Sequence, residues 1–219
     1  MAGATLRDRA IACGGALLCI GLATLICAVV SDLSGSSLML VAPIGASAVL
    51  MCAVPASPLA QPWSIVGGNT VSALMGLCVG SLVHEPVLAA GLAVSAAIAG
   101  MSVARCLHPP GGAVALLGAS AASGAGWMFA LTPVAADSTV LVALGWLFHR
   151  FSGHTYPHRP MMGRTASVSP PEMAPSFQPQ DLEGALADMG DVFDIAPEDL
   201  DLLLRRIEAR AAARTGVLG

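Results

Sequence analysis

The sequence contains no lysine and has little charge of either sign, since charged residues make up 11% of its 219 positions. A soluble domain usually carries about 25% charged residues, so the chain is not an ordinary soluble protein. The stretch from Ala10 to His149 carries only four formally charged side chains, namely Asp32, Glu85, Arg105 and Asp137. The net charge of −4 also argues against a nucleic-acid-binding protein.

The signatures of common catalytic and metal-binding proteins are missing as well. None of the six cysteines forms a CxxC pair, and there is no HExxH motif, glycine-rich phosphate loop or nucleophile motif. His149, His154 and His158 have a spacing that suggests metal ligands, but no cysteine or carboxylate accompanies them. We therefore expect no enzyme, no metal site and no cofactor, and we interpret the cysteines as small apolar residues of a membrane domain.

What the chain does contain is apolar sequence, because hydrophobic residues make up 55% of it. Six apolar segments follow one another, at residues 10–30, 37–54, 64–83, 86–104, 110–123 and 133–148. A spanning helix needs about 20 apolar residues, a length that the first, third and fourth segments approach and the sixth nearly reaches. The second and fifth are shorter or interrupted by proline and glycine. The first is too long for the core of a signal peptide and is interpreted as a retained helix.

The second and fifth segments resemble each other. Pro43-Ile-Gly-Ala-Ser-Ala-Val-Leu aligns with Pro110-Gly-Gly-Ala-Val-Ala-Leu-Leu, and five of the eight positions are identical. Chance is the alternative explanation in a chain so rich in alanine, glycine and leucine. We favour an internal repeat, because long segments bracket both motifs in the same order. Paired broken segments in two halves of a chain indicate the binding site of a transporter.

Arginine predicts the orientation, because arginine-rich flanks of membrane helices stay in the cytoplasm. Arg7 and Arg9 precede the first segment, and Arg150, Arg159 and Arg164 follow the last one. Both termini should therefore lie on the cytoplasmic side of the inner, or plasma, membrane, and the number of crossings should be even. Six crossings result if the two broken segments cross the membrane, and four result if they are re-entrant. The arginine positions favour six.

The composition changes after the apolar segments. We predict a membrane domain, a linker and a soluble tail, at residues 1–150, 151–176 and 177–219. Two short helices are expected in the tail, one over 179–189 that is capped by Gly190 and one over 197–214. Such a tail cannot build a core of its own, so it should dock on the membrane domain, on a second copy or on a partner.

Small residues recur every four positions in the third segment, at Gly68, Ser72, Gly76 and Gly80. This spacing predicts a helix face for close packing against another helix. Glycine faces of this kind also permit a homodimer, although they do not require one.

Four motifs together resemble a known family. They are, in order, Pro43-Ile-Gly-Ala-Ser-Ala-Val-Leu, Pro55-Ala-Ser-Pro-Leu-Ala-Gln-Pro-Trp63, Gly67-Gly-Asn69 and Arg105-Cys-Leu-His-Pro-Pro-Gly-Gly112. Over about residues 10–160 the chain resembles the HPP family of integral membrane proteins, which is named for a triplet found here as His108-Pro109-Pro110. The resemblance implies four membrane helices, which fits the re-entrant alternative. It also implies a role in nitrite transport, in which plant chloroplast and cyanobacterial members are implicated.

The tail resembles that of bacterial members of the family, in which a similar stretch leads into a pair of CBS domains. The sequence ends at Gly219, so we expect no CBS module and no adenine-nucleotide regulation of that kind.

A carrier of a small anion must replace the water around its substrate with a cation, backbone N–H groups or neutral donors. Arg105 is the candidate cation, and the alternatives are an interfacial arginine or a partner of Glu85 or Asp137. His108 is a candidate for carrying a proton or gating the path, and the alternative is a ring that only stabilises the break in the helix. The carboxylates Asp32, Glu85 and Asp137 lie near segment ends and are interpreted as solvated caps.

The other candidate substrate-binding residues lie at two predicted helix N-termini and in the third segment: Pro110, Gly111 and Gly112, then Pro43, Gly45 and Ser47, and finally Asn69. If the two N-termini converge near the middle of the membrane, their dipoles would attract an anion. For Asn69 a structural role, the satisfaction of broken backbone, is favoured over donation to a substrate.

The sequence therefore predicts an all-α fold, a polytopic membrane helix bundle with four full spans, two short broken helices and up to six crossings. The predicted function is that of a transporter or channel for a small inorganic anion, nitrite by resemblance. The alternative is a membrane anchor or sensor that acts through its cytoplasmic tail. The expected partners are the lipid bilayer, the anion and a possible second copy of the chain, with no nucleic acid.

Overall fold

The computed structural model describes residues 6–34, 40–122, 124, 126–158, 180–184 and 197–214, and within them it contains helices and no strand. The all-α prediction is therefore confirmed. The helices of the first 158 residues are α1 (Leu6–Ser34), α2 (Pro43–Ala53), α3 (Pro62–Leu82), α4 (Pro86–Val103), α5 (Gly111–Ala121) and α6 (Ala136–Ser152). A 3-10 turn at Pro58–Ala60 precedes α3, and a π-helical stretch at Ala130–Ala135 leads into α6.

Four helical stretches are long and apolar enough to cross a membrane. They are Leu6–Val30, Pro62–Leu82, Pro86–Val103 and Ala130–Ser152. The helices α2 and α5 have 11 residues each, which at 1.5 Å per residue gives about 16 Å, roughly half the thickness of a bilayer core. The predicted set of four full spans and two short broken helices is confirmed.

Proline sets the start of three helices, because its fixed φ angle suits the first turn and its missing N–H has no partner there. Pro43, Pro62 and Pro86 begin α2, α3 and α4. Glu85 caps α4, since its carboxylate accepts from the backbone N–H groups of Val87 and Leu88 at 3.1 and 2.6 Å. The interpretation of Glu85 as an exposed cap is therefore confirmed.

The helix contacts give the direction of each pass along the bundle. We name the end at which α1 begins the proximal end and the other the distal end. Gly15, in the first half of α1, packs against the ring of Phe148 near the end of α6. Cys27, in the second half of α1, donates its thiol to Asp137 in the first turn of α6. Consequently α6 runs antiparallel to α1, from the distal towards the proximal end.

The short helix α2 runs beside α6 in the same direction. Just before α2, the backbone N–H of Val41 donates to Asp137 at 3.0 Å. Near the end of α2, the carbonyl of Met51 accepts from Nε2 of His149 at 3.0 Å. The chain therefore travels from the end of α1 back to the proximal end, so α2 belongs to a crossing and is not re-entrant.

The helices of the second half, α4 to α6, run in the directions opposite to those of α1 to α3. The indole of Trp63, at the start of α3, donates to the carbonyl of Ala104 at the end of α4, so α4 finishes at the proximal end. Gly80, near the end of α3, packs against Ala119 near the end of α5, so α5 finishes towards the distal end. Through residue 158 the described chain thus passes along the bundle six times. Because each half contains three passes, α4, α5 and α6 are inverted relative to α1, α2 and α3.

The small-residue face of α3 is occupied by α5. A Cβ atom on Gly68 would lie 2.6 Å from the carbonyl oxygen of Cys106, and one on Gly76 would collide with the carbonyl of Ala115. The predicted close packing is confirmed, and it is internal to the chain. This face is therefore not available to a second copy, and the homodimer stays a prediction.

The last span begins earlier than the sequence predicted. The apolar sequence predicted it over 133–148, but the helical stretch runs from Ala130 to Ser152. Thr132 interrupts the π-helical part with φ −135° and ψ 104°. The residue before a proline is pushed out of the helical region, so Pro133 lies inside a broken helix and does not start a regular one.

The chain divides into two compact units, residues 1–158 and 159–219. In the second unit residues 180–184 form a helical segment, α7, and Pro197–Arg214 forms α8, whose bounds match the prediction. Within α8, Arg205 donates to Asp201 one turn earlier. Most of the predicted linker, the rest of the first tail helix and its cap Gly190 lie outside the described residues, so this part of the domain prediction stays a prediction.

Candidate functional site

A histidine without exposure to solvent lies where the chain enters α5. His108 is 0% exposed, and its Nδ1 atom is 2.8 Å from the carbonyl oxygen of Leu59. A carbonyl can only accept, so Nδ1 carries the proton. Nε2 lies 2.8 Å from Oγ of Ser47. In a neutral ring with its proton on Nδ1, Nε2 accepts from this hydroxyl.

The hydrogen bonds continue from Ser47 across the bundle. The side-chain amide of Asn69 donates to Oγ of Ser47 at 3.3 Å and to Oγ of Ser138 at 3.1 Å. Together His108, Ser47, Asn69 and Ser138 form what we name the buried polar chain, and each member is 0% exposed. It connects α2, α3, α6 and the residues that precede α5.

Two buried oxygen atoms beside this chain have no hydrogen-bond partner among the residues that the structure describes. They are Oδ1 of Asn69 and Oγ of Ser72, which lies one turn further along α3. Leaving a buried polar group without a partner costs about 1–3 kcal/mol, so such atoms in a membrane bundle call for an explanation. A polar substrate or water that completes these bonds provides one.

The N-termini of the two short helices come together at the buried polar chain. Ser47 lies in the second turn of α2, and His108 precedes the first residue of α5, Gly111. The first backbone N–H groups are engaged locally: Gly45 donates to Ala42, and Gly111 donates to His108. These N–H groups are therefore not free to bind an anion. The helix dipoles and the side-chain donors remain to interact with one.

Arg105 lies outside the buried polar chain. Its side chain is exposed, and its φ angle of 52° places it in the left-handed region. The backbone N–H of Arg105 donates to Ser102, and that of Cys106 donates to Met101. This pair of bonds is a Schellman motif, in which the residue after the helix end takes the left-handed conformation. The structure thus places Arg105 as the residue that ends α4 and turns the chain towards His108.

Asp137 is buried, with 3% of its surface exposed, so its interpretation as a solvated cap is wrong. Its Oδ2 accepts from the backbone N–H of Val41 at 3.0 Å, and its Oδ1 accepts from the thiol of Cys27 at 3.3 Å. Sequence position alone suggested a segment end, because it did not show that the span begins at Ala130, seven residues before Asp137.

The remaining predicted residues differ in their surroundings. Pro43 and Pro110 are buried, and Gly111 contacts Ser72 so closely that a Cβ atom would lie 2.5 Å from its Oγ. Gly45 and Gly112 are half-buried, and a Cβ atom on either would meet no close neighbour. The structure therefore brings together Ser47, Asn69, His108 and the start of α5. Ser138 joins them without any motif in the sequence that would have identified it.

The connection that carries Leu59 is held by residues after α6. The hydroxyl of Tyr156 donates to the carbonyl of Ala60 at 3.0 Å, and the backbone N–H of His158 donates to Gln61 at 2.9 Å. Burial, together with the nearby Cys52 thiol, raises the pKa of Tyr156. These bonds fix the carbonyl that orients His108.

His149, His154 and His158, near the end of α6, make separate contacts. Nδ1 of His149 lies 2.8 Å from the hydroxyl of Ser152, and its ring packs edge-on against His154 with ring centroids 6.1 Å apart. Within the described part of the chain, no three His, Cys, Asp or Glu side chains are grouped in a way that could hold a metal ion.

Comparison with known proteins gives one match. A family model described as the HPP transmembrane region matches residues 1–157. No curated protein and no solved structure matches the chain. The matched residues contain all six helices of the first compact unit and every residue of the buried polar chain. The four long apolar helices make the protein a multi-pass membrane protein in contact with lipid. The chain belongs to the HPP transmembrane family.

Proposed function

We propose that this protein is a transporter or channel for a small inorganic anion, with nitrite as the substrate that the family resemblance implies. The observation that carries the proposal is the meeting of two half-length helices, α2 and α5, at the buried polar chain. Half-helices whose N-termini point at a site inside the membrane are a recurring construction in transporters, where their positive ends face anionic groups. The inverted order of the two halves is typical of the same class of protein.

The chemistry of the buried polar chain supports a substrate that is small and released easily. Its side-chain groups are hydroxyls, one amide and an imidazole, beside the Asn69 and Ser72 oxygens that lack a partner in the described part of the chain. Neutral donors can replace part of the hydration of a small anion without holding it as tightly as a guanidinium would.

The cellular context is part of the same proposal. We place the protein in the inner, or plasma, membrane, with both termini cytoplasmic. Arg105 lies at the proximal end of the bundle, as does the start of α1, which carries Arg7 and Arg9. An arginine-rich proximal end agrees with a cytoplasmic position. We propose that the protein has no enzymatic activity.

The test is uptake of nitrite into proteoliposomes. Wild-type protein should give saturable uptake, and Asn69→Ala should reduce it at least tenfold, because this substitution removes the amide that links Ser47 to Ser138. Ser120→Ala is the matched control, since Ser120 is exposed and its hydroxyl bonds only to Leu116 of its own helix. The absence of nitrite, nitrate, chloride or formate uptake by well-folded wild-type protein would contradict the proposal and favour the anchor-or-sensor alternative.

A further inference from the structure

The carboxyl group of Asp137 lies inside the bundle, on the residue that precedes Ser138 of the buried polar chain. The Cα atoms of the two residues are therefore about 3.8 Å apart. Both oxygens of the carboxyl group are engaged, one by the N–H of Val41 and the other by the thiol of Cys27. Asp137 thus connects α1, the residues that lead into α2, and α6.

No cation neutralises this carboxyl group among the described residues. The titratable group that faces it is Cys27 on α1, and Asp32, one turn beyond, is exposed. The approach to α2 contributes a backbone N–H, and the one titratable side chain of α2 is Cys52, at its far end. The π-helical stretch has none, and α3 has only the exposed Cys78. Ionisable residues inside membrane spans are costly and usually functional.

The N–H of Val41 is a donor at the start of α2, and the carboxyl group of Asp137 accepts from it. An ionised Asp137 would repel a second anion in the low-dielectric interior of the bundle. A protonated Asp137 would not repel it, and the positive end of the α2 dipole would then be available to the substrate.

We propose that Asp137 is the proton-binding residue that couples anion movement to proton movement, so that the anion reaches the buried polar chain only while this carboxyl group is protonated. The proton is taken up from the same side of the membrane as the anion and released with it on the other side. Each turnover therefore moves one anion and one proton and no net charge. The coupling to anion movement rests on the proposed function. Protonation of Asp137 can be tested whether or not the protein transports an anion.

The first experiment follows the protonation of Asp137 by infrared difference spectroscopy of the full-length protein in lipid. We expect wild-type protein to show the carbonyl stretch of a protonated carboxyl group that appears as the pH is lowered from about 8 to about 5. Asp137→Asn should lack this band, and Asp32→Asn should retain it because Asp32 is exposed. If the wild-type band is absent throughout this range, or is retained in Asp137→Asn, the proton site is overturned whether or not the protein transports nitrite.

The second experiment measures nitrite uptake into proteoliposomes under an inward proton gradient or an imposed membrane potential. Wild-type uptake should rise at least fivefold with the proton gradient and should not respond to the potential. Uptake by Asp137→Asn should lose its response to the proton gradient and gain one to the potential, because the anion then moves without a proton. Potential-driven uptake by the wild type would overturn the coupling. If the wild-type protein takes up no nitrite although Asp137 titrates, the proposed function and the coupling of anion to proton movement are overturned. The assignment of Asp137 as a proton-binding residue is then unaffected.

Discussion

Nε2 of His108 lies 2.8 Å from Oγ of Ser47, and this contact joins one repeated motif of the chain to the residues just before the other. Ser47 belongs to the motif that begins at Pro43, whereas His108 comes two residues before the Pro110 that begins the other. The contact therefore holds the start of α5 against the second turn of α2. Each of α2, α3 and α6 contributes one residue to the buried polar chain, and His108 comes from the residues that precede α5.

Loss of the Ser47 hydroxyl should destabilise the bundle. In Ser47→Ala, Nε2 of His108 stays buried without a donor, and Asn69 loses one acceptor. We expect a loss of about 0.5–2 kcal/mol in the free energy of unfolding, which is the range for hydrogen bonds in membrane bundles and for buried groups left unpaired. Reversible unfolding in mixed detergent micelles measures it. Equal stability of Ser47→Ala and Ser120→Ala, a change at an exposed hydroxyl, would contradict the expectation.

The packing of α3 on α5 should be intolerant of one added methyl group. A Cβ atom at Gly76 meets the backbone carbonyl of Ala115, which cannot move away as a flexible side chain can. We expect Gly76→Ala to cost about 1–3 kcal/mol, the range for overpacking a tight interface. Gly91→Ala in α4 is the control, because nothing lies within 4 Å of a Cβ atom there. The unfolding midpoints of the two variants should differ, and equal midpoints would refute the close approach of α3 and α5.

The backbone at Arg105 should favour glycine. A residue other than glycine in the left-handed conformation costs about 1–2 kcal/mol, and Arg105 has φ 52°. Both Arg105→Gly and Arg105→Ala remove the charge, but only glycine relieves the strain. We therefore expect Arg105→Gly to be more stable than Arg105→Ala by about 0.5–1.5 kcal/mol, after allowance for the greater freedom of glycine in the unfolded chain. Thermal unfolding in detergent compares the pair, and a more stable alanine variant would contradict the Schellman cap.

Much of the fold could be predicted from the sequence because the bilayer limits the choice of structures. Apolar length separates the long helices from α2 and α5, and prolines mark where α2, α3 and α4 begin. The start of the last span could not be predicted in this way. Pro133 resembles a helix start, but helical residues precede it from Ala130, with a break in the helix at Thr132.

The candidate site was predictable only where a motif marks it. His108 and Ser47 lie in or beside unusual proline- and glycine-containing sequence, so they could be selected. Ser138 has no such neighbours, and its role follows from the antiparallel packing that brings it within 3.1 Å of Asn69. The exposure of Arg105 was not predictable either, since charge alone does not reveal that the residue ends a helix in a left-handed conformation.

Tyr156 should make the stability of the protein fall at alkaline pH. Its hydroxyl is buried and donates to the carbonyl of Ala60, and burial raises its pKa above the ordinary value of about 10. A group whose pKa is higher in the folded state contributes stability that is complete below the unfolded pKa and is lost as the pH rises towards the folded value. The free energy of unfolding should therefore decrease with pH above about pH 10.

Tyr156→Phe should weaken this dependence and also lower the stability at neutral pH by about 1 kcal/mol, because the carbonyl of Ala60 loses its donor. Since Tyr156 is the only tyrosine in the chain, the absorbance of tyrosinate reports on it alone. Native protein should develop this absorbance at a higher pH than unfolded protein does. Identical titrations in the two states would show that Tyr156 is not held against Ala60, and the fixed position of the Leu59 carbonyl that orients His108 would then lose its main support.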